Sequence, residues 1–244
     1  MLGGRIAALH RLARQASIAA PPRLALHPAK YPSRTRELMR QTLKHSYTLV
    51  APFYDAFLTA ATRGARKRSL AALADGPPQE VLLLGVGTGL DLPHLPAQHR
   101  YVGLDLTAAM LKRARPRTAG LHFSPLRGDV QRLPFHDASF DAAVLHLILA
   151  VVPVPTLCLA EAVRVLKPGG TLLVFDKFLR RGESGWKRAL NPLTRHVATR
   201  LDVVFEDVLE AVGGLEVKSN ESALASGWFR LIRLEKPVCG RQSN

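Results

Sequence analysis

At 244 residues the chain is long enough for one domain with a substantial core, or one domain plus an extension. Apolar residues make up 47% and charged residues 22%, a balance that excludes a disordered polymer, and no apolar run reaches the ~18–20 residues that cross a bilayer. Lys+Arg 34 against Asp+Glu 19 leave a net charge of +15, concentrated early: residues 1–48 hold nine Lys/Arg and one acid, Glu37. Such asymmetry points to an anionic partner, namely a membrane surface or nucleic acid, or to a solvated tail. Aromatic residues are only 6% and no nucleic-acid motif accompanies the charge, so nucleic acid is not the expected partner. Cys158 and Cys239 lie far apart, without metal-ligand or redox spacing, so they read as thiols of a reducing compartment and no metal is expected.

In chain order, "MLGGRIAALHRLARQASI" is no secretory signal, because Arg5, Arg11 and Arg14 interrupt the apolar stretch. Leu2, Ile6, Leu9 and Ala13 share one side of a helical wheel, which suits an interfacial helix on anionic lipid, an organelle presequence, or a plain basic leader. Four prolines make residues 19–34 a linker. Residues 1–34 are thus leader and linker, 35–75 N-terminal helices, and 35–240 the folded domain. Helical spacing runs over 35–60 and 63–74, with cations at Arg63, Arg66, Lys67 and Arg68. "EVLLLG" (80–85) reads as a buried strand ending in glycine, "YVGLDL" (101–106) as a second, followed by a helix capped by Thr107. Strands are expected at 121–129, 140–149 and 171–176, the last after a "KPGG" turn, with a helix over 155–166. A further helix ends near Gly213, and "LEVKSNES" and "GWFRLIRLEK" close the chain as a strand pair, the second with the apolar–basic alternation of an edge strand. Alternating strands and helices predict an α/β fold: a doubly wound, mainly parallel sheet.

In such a sheet ligands bind outside the carboxyl ends of the strands. Gly85, Gly87 and Gly89 end the first strand and let a ligand approach the backbone, and a helix N-terminus is expected just beyond them. Asp105, closing the second strand, is placed to accept from ribose hydroxyls, and Asp129, closing the third, from an adenine amino group. A dinucleotide fingerprint would need glycine at Leu90, so the G-x-G-x-G spacing favours a single nucleoside.

"VLLLGVGTGLDLPHLP", "YVGLDLTAAMLKRAR", "GDVQRLPFHDASFD" and "EAVRVLKPGGTLLVFDKF", spanning about residues 45–235, together resemble the class I S-adenosylmethionine-dependent methyltransferases. "YTLVAPFYDAFL", "GVGTGLDLP" and "LILAVVPVP" are most similar to soluble bacterial phosphatidylethanolamine N-methyltransferases, and more loosely to ubiquinone and menaquinone C-methyltransferases. The resemblance implies a seven-stranded Rossmann-like fold with a helical N-terminal extension, and S-adenosylmethionine as cofactor. It implies that Gly85, Val86, Gly87 and Gly89 meet the methionine part, Asp105 the ribose, Leu106 and Met110 the adenine faces, and Asp129 and Val130 the adenine edge. Tyr54 would close as a lid. His146 would border donor and acceptor and is the candidate to take a proton.

One position departs from the family. Leu83 stands where an acid usually supports the glycine loop and the cofactor's ammonium group. Either Asp91, just past the loop, supplies that charge, or the site is weakened and the chain is a binding or assembly protein on a methyltransferase fold. The expected acceptor is a small or lipid-like molecule: a phospholipid amine first, a quinone precursor or another small molecule as alternatives. The expected location is cytoplasmic, peripheral at an inner membrane through the basic N-terminus, or mitochondrial in a eukaryote.

Overall fold

The structure is a computed structural model and describes residues 61–179, 181, 202–224 and 227–238. The leader, the linker, the 35–60 segment and Tyr54 lie outside the described residues.

Seven strands form one sheet in the order β3-β2-β1-β4-β5-β7-β6. They are β1 (Glu80–Leu84), β2 (Arg100–Asp105), β3 (His122–Arg127), β4 (Phe140–His146), β5 (Leu166–Lys177), β6 (Glu216–Leu224) and β7 (Phe229–Glu235). Neighbours are parallel from β3 to β5, and β7 runs antiparallel to both β5 and β6. Among the described residues, α1 (Ala108–Ala114), α2 (Pro155–Val165) and α3 (Phe205–Val212) join a helical stretch at 61–70.

The continuous apolar runs of the central strands arise because both faces are covered. Leu82, Leu84, Ala143, Leu145, Leu172 and Val174 pack with Cys158, Leu159, Ala162 and Val165 of α2 and with Phe205 and Val208 of α3. The alternate residues Val81, Leu83, Tyr101, Ala142, Val144 and Leu173 pack on the opposite side with Leu70, Leu73, Leu111 and Ala114. The chain therefore winds to both sides of the sheet, as alternation predicts.

Three details differ from the sequence reading. The final strand is not the edge. β7 lies between β5 and β6, and β6, with its exposed polar run, takes the edge. Arg230 explains the difference: it is buried, bonded to Asn220 and Glu206, and lies over the Phe178 and Phe205 rings at 6.0 and 5.8 Å. The "KPGG" segment is not a turn ahead of the strand but part of β5, whose register against β4 jumps from Phe140↔Leu166 to Ala142↔Thr171. Gly169 and Gly170 exchange backbone hydrogen bonds with Lys236, which holds this bulged stretch in the sheet. Thr107 has the extended backbone of a cap but makes no side-chain cap bond; its hydroxyl donates to Asp105 at 3.1 Å.

Candidate active site

The strand order reverses between β1 and β4, so the carboxyl ends of β1, β2 and β4 border the crevice where doubly wound sheets bind ligands. The loop after β1 enters it. Gly85 N and Val86 N both donate to Leu104 O, at 2.8 and 3.0 Å, which ties the loop to the end of β2. A Cβ on Gly85 would stand 2.5 Å from Ile148 Cδ1, so this glycine is demanded by packing. Gly87 differs: at φ +54° its added Cβ would meet only Gly85 O, at 3.9 Å, so the backbone lies open here.

Asp105 fastens the same loop from β2. Its Oδ2 accepts from Gly87 N at 2.9 Å, and its Oδ1 from the backbone N and hydroxyl of Thr107 at 2.9 and 3.1 Å. Burial raises its carboxyl above the ordinary value, offset only partly by those hydrogen bonds. Those three bonds leave about one lone-pair site, on Oδ2, room for a single ribose hydroxyl. Leu106 and Met110 follow, both half-buried. At the end of β3, Asp129 Oδ1 accepts from Gln131 N and Nε2, and Gln131 Oε1 accepts from Val154 N, so Asp129 is held against the segment leading into α2. Val130 is buried in the core beside it.

The far end of the loop is a buried polar network. Asp91 Oδ1 accepts from Arg66 Nη1 at 2.7 Å and lies 2.7 Å from His146 Nδ1; His146 Nε2 lies 3.0 Å from Ser69 Oγ. Arg66 Nε donates to Thr62 Oγ1. Burial would raise the Asp91 carboxyl, but the charges and hydrogen bonds of His146 and Arg66 outweigh it and hold it well below the usual carboxylate range. In the singly protonated ring, Asp91 at Nδ1 places the proton there and leaves Nε2 to accept from the Ser69 hydroxyl. The His146 ring is thus enclosed, 1% exposed, with both nitrogens engaged and its edge against Phe175.

The structure makes several further departures from expectation. No α-helix follows the glycine loop among the described residues, only a 3₁₀ turn, Leu92–His94. Pro96 accounts for this, since its nitrogen cannot donate back to Leu92 O and the turn ends at Leu95. Arg66 is not part of a surface cation cluster; it turns inward while Arg63, Lys67 and Arg68 stay exposed. Leu83 is buried among apolar side chains on the same side of the sheet as Leu70 and Leu73. Arg164 pairs with Glu161 and also donates to Leu133 O, Phe135 O and Asp137, clamping the loop before β4 to α2.

Sequence reasoning missed Arg66, Ser69 and Asp176. The first two carried a signal: Thr62, Arg66 and Ser69 are polar residues at the buried-stripe positions of a helix that also buries Ala65 and Leu70. Asp176, at the end of β5, is buried and accepts from Ala150 N and Lys177 N. Burial pushes its carboxyl up to about 6. Among the described residues, no group of three or more His, Cys, Asp or Glu is placed to hold a metal, and no helix is long and apolar enough to cross a membrane.

Residues 82–174 match the family model described as a methyltransferase domain. A phosphatidylethanolamine N-methyltransferase from Cereibacter sphaeroides is 29% identical over 189 residues, 75% of this chain and 92% of that protein. A demethylmenaquinone methyltransferase from Renibacterium salmoninarum is 38% identical over 132 residues, 52% of this chain and 55% of that protein, so the chain spans about half its length. In fold, the 1,6-didemethyltoxoflavin-N1-methyltransferase of Burkholderia thailandensis, solved with S-adenosylhomocysteine, superposes with a TM-score of 0.62 at 19% identity, covering 90% of this chain and 93% of that one. Residues 82–174 therefore carry a methyltransferase domain, on a fold shared with S-adenosylmethionine-dependent methyltransferases. The open backbone at Gly87 together with the acceptor capacity of Asp105 fit S-adenosylmethionine.

Proposed function

We propose that the chain methylates the amine of a phospholipid headgroup, as phosphatidylethanolamine carries. The observation that supports this most is the extent of its likeness to the Cereibacter sphaeroides protein, which reaches 92% of that protein's length. The nine Lys/Arg within residues 1–48 add to it, because an anionic leaflet attracts each surface cation by about 1 kcal/mol.

In this reading Gly85, Val86, Gly87 and Gly89 carry the methionine part of the cofactor, Asp105 with Leu106 and Met110 the nucleoside, and Asp129 with Val130 the adenine edge. The cofactor supplies an activated methyl group on a sulfonium. The protein's task is to hold the acceptor in line with it and to take a proton, since an amine attacks only when neutral. The Ser69–His146–Asp91 chain offers a route for that proton, entering at the Ser69 hydroxyl and resting on His146 beside the Asp91 charge.

The test is product analysis. Purified protein, S-adenosylmethionine and vesicles containing phosphatidylethanolamine should yield mono- and dimethylated headgroups by mass spectrometry. Methylation of demethylmenaquinone with none of the amine would replace this reading by quinone-precursor C-methylation.

A further inference from the structure

The Arg66–Asp91 pair is built with one unused atom on each side. Both bonds to Asp91 fall on Oδ1, and Arg66 spends Nη1 on Asp91 and Nε on Thr62. Among the described residues Asp91 Oδ2 and Arg66 Nη2 make no hydrogen bond, although the side chains are only 10% and 7% exposed. Neither atom is fully enclosed. Buried charged groups are normally satisfied at every polar atom, so an acceptor and a donor left over on the two members of one ion pair mark the place of a ligand.

The position says which ligand. Asp91 lies two residues beyond Gly89, and Asp105 holds the same loop through Gly87. A molecule lying along the loop with its ribose at Asp105 brings its other end to Asp91 and Arg66. For the cofactor of this family that end is an amino acid, an ammonium beside a carboxylate. Ammonium to Asp91 Oδ2 and carboxylate to Arg66 Nη2 would complete both residues with charge-assisted hydrogen bonds. Leu83 then has an explanation. It is 2% exposed in an apolar cluster, and the carboxylate the family usually keeps at that position stands instead at the other end of the loop, on Asp91.

We propose that Asp91 and Arg66 form the binding site for the zwitterionic amino-acid end of the cofactor. The proposal rests on the cofactor assignment and not on the choice of acceptor, so its test needs no acceptor. Calorimetric titration compares S-adenosylhomocysteine with 5′-methylthioadenosine, which keeps the nucleoside and sulfur but lacks the amino-acid end. Asp91→Asn should weaken S-adenosylhomocysteine by about 10- to 100-fold while leaving methylthioadenosine within about twofold of wild type. Because that variant leaves Arg66 buried without its partner, the double variant Arg66→Met/Asp91→Leu, which removes both charges together, is measured beside it and should show the same selective loss. Equal loss of both ligands in the folded double variant would reduce the pair to loop scaffolding and overturn the proposal. Wild-type affinity for S-adenosylhomocysteine in either variant would overturn it as well.

Discussion

Two aspartates hold the glycine loop, one at each side, and they are opposites. Asp105 is fastened by neutral donors, the N–H groups of Gly87 and Thr107 and a hydroxyl, and burial raises its proton affinity. Asp91 is more deeply buried but faces Arg66 and His146, and its proton affinity falls far below the ordinary value. The difference teaches that burial does not decide ionisation by itself; the charge of the partner does. It also separates two tasks: neutral-donor surroundings suit an acceptor for hydroxyl groups, and a permanently ionised carboxylate suits a cation.

Leu83→Glu is the strongest way to break that division, because it adds a third carboxylate with no partner. Leu83 packs in the apolar cluster with Leu70, Leu73, Val144 and Leu173. Burying an unpaired acid there should cost about 4 kcal/mol or more, seen as a large drop in the urea midpoint or as failure to fold. A variant of wild-type stability would show that position 83 tolerates charge.

Removing one side of the Asp91 pair comes next. Arg66→Met should destabilise by about 3–5 kcal/mol, whereas Arg66→Met/Asp91→Leu should recover most of that loss, because the cost lies in the orphaned charge rather than in the missing attraction. Chemical denaturation of the two variants checks this, and equal destabilisation would contradict it.

A smaller effect is the pH dependence. Asp176 takes its proton at about 6 in the folded protein against roughly 3.9 when unfolded. Its contribution to stability is therefore full below about pH 4 and lost as pH rises through 6, about 3 kcal/mol in all. Asp91 has the opposite sign: its folded value is lowered, so its contribution is full above about pH 4 and lost as pH falls further. Denaturation at pH 4, 5.5 and 7 should show wild type losing stability relative to Asp176→Asn as pH rises, and parallel curves would refute the assignment.

Much of this arrangement was legible in the sequence. β1, β2, β3 and β5 follow from short runs ending at glycine or aspartate and β4 from an apolar run alone, and Asp105 and Asp129 stand at the strand ends where that pattern puts them. What stayed hidden depends on partners distant in the chain. Arg66 reads as one more cation until Asp91, 25 residues on, is folded against it. Arg230 gives β7 the look of an edge strand because its burial relies on Glu206, Asn220 and two aromatic rings. The short turn after the glycine loop was readable from Pro96, against the helix that strand–helix alternation suggests there.

The central claim is that the crevice at the ends of β1, β2 and β4 holds S-adenosylmethionine through Asp105 and the glycine loop. Its most direct test is calorimetric titration of wild type and Asp105→Ala with S-adenosylhomocysteine. Saturable binding by wild type, weakened at least about tenfold in a folded Asp105→Ala, is the predicted result, as expected for losing a ligand's hydrogen bonds to a charged acceptor. No binding by wild type at millimolar ligand, or equal affinity in both proteins, would contradict it.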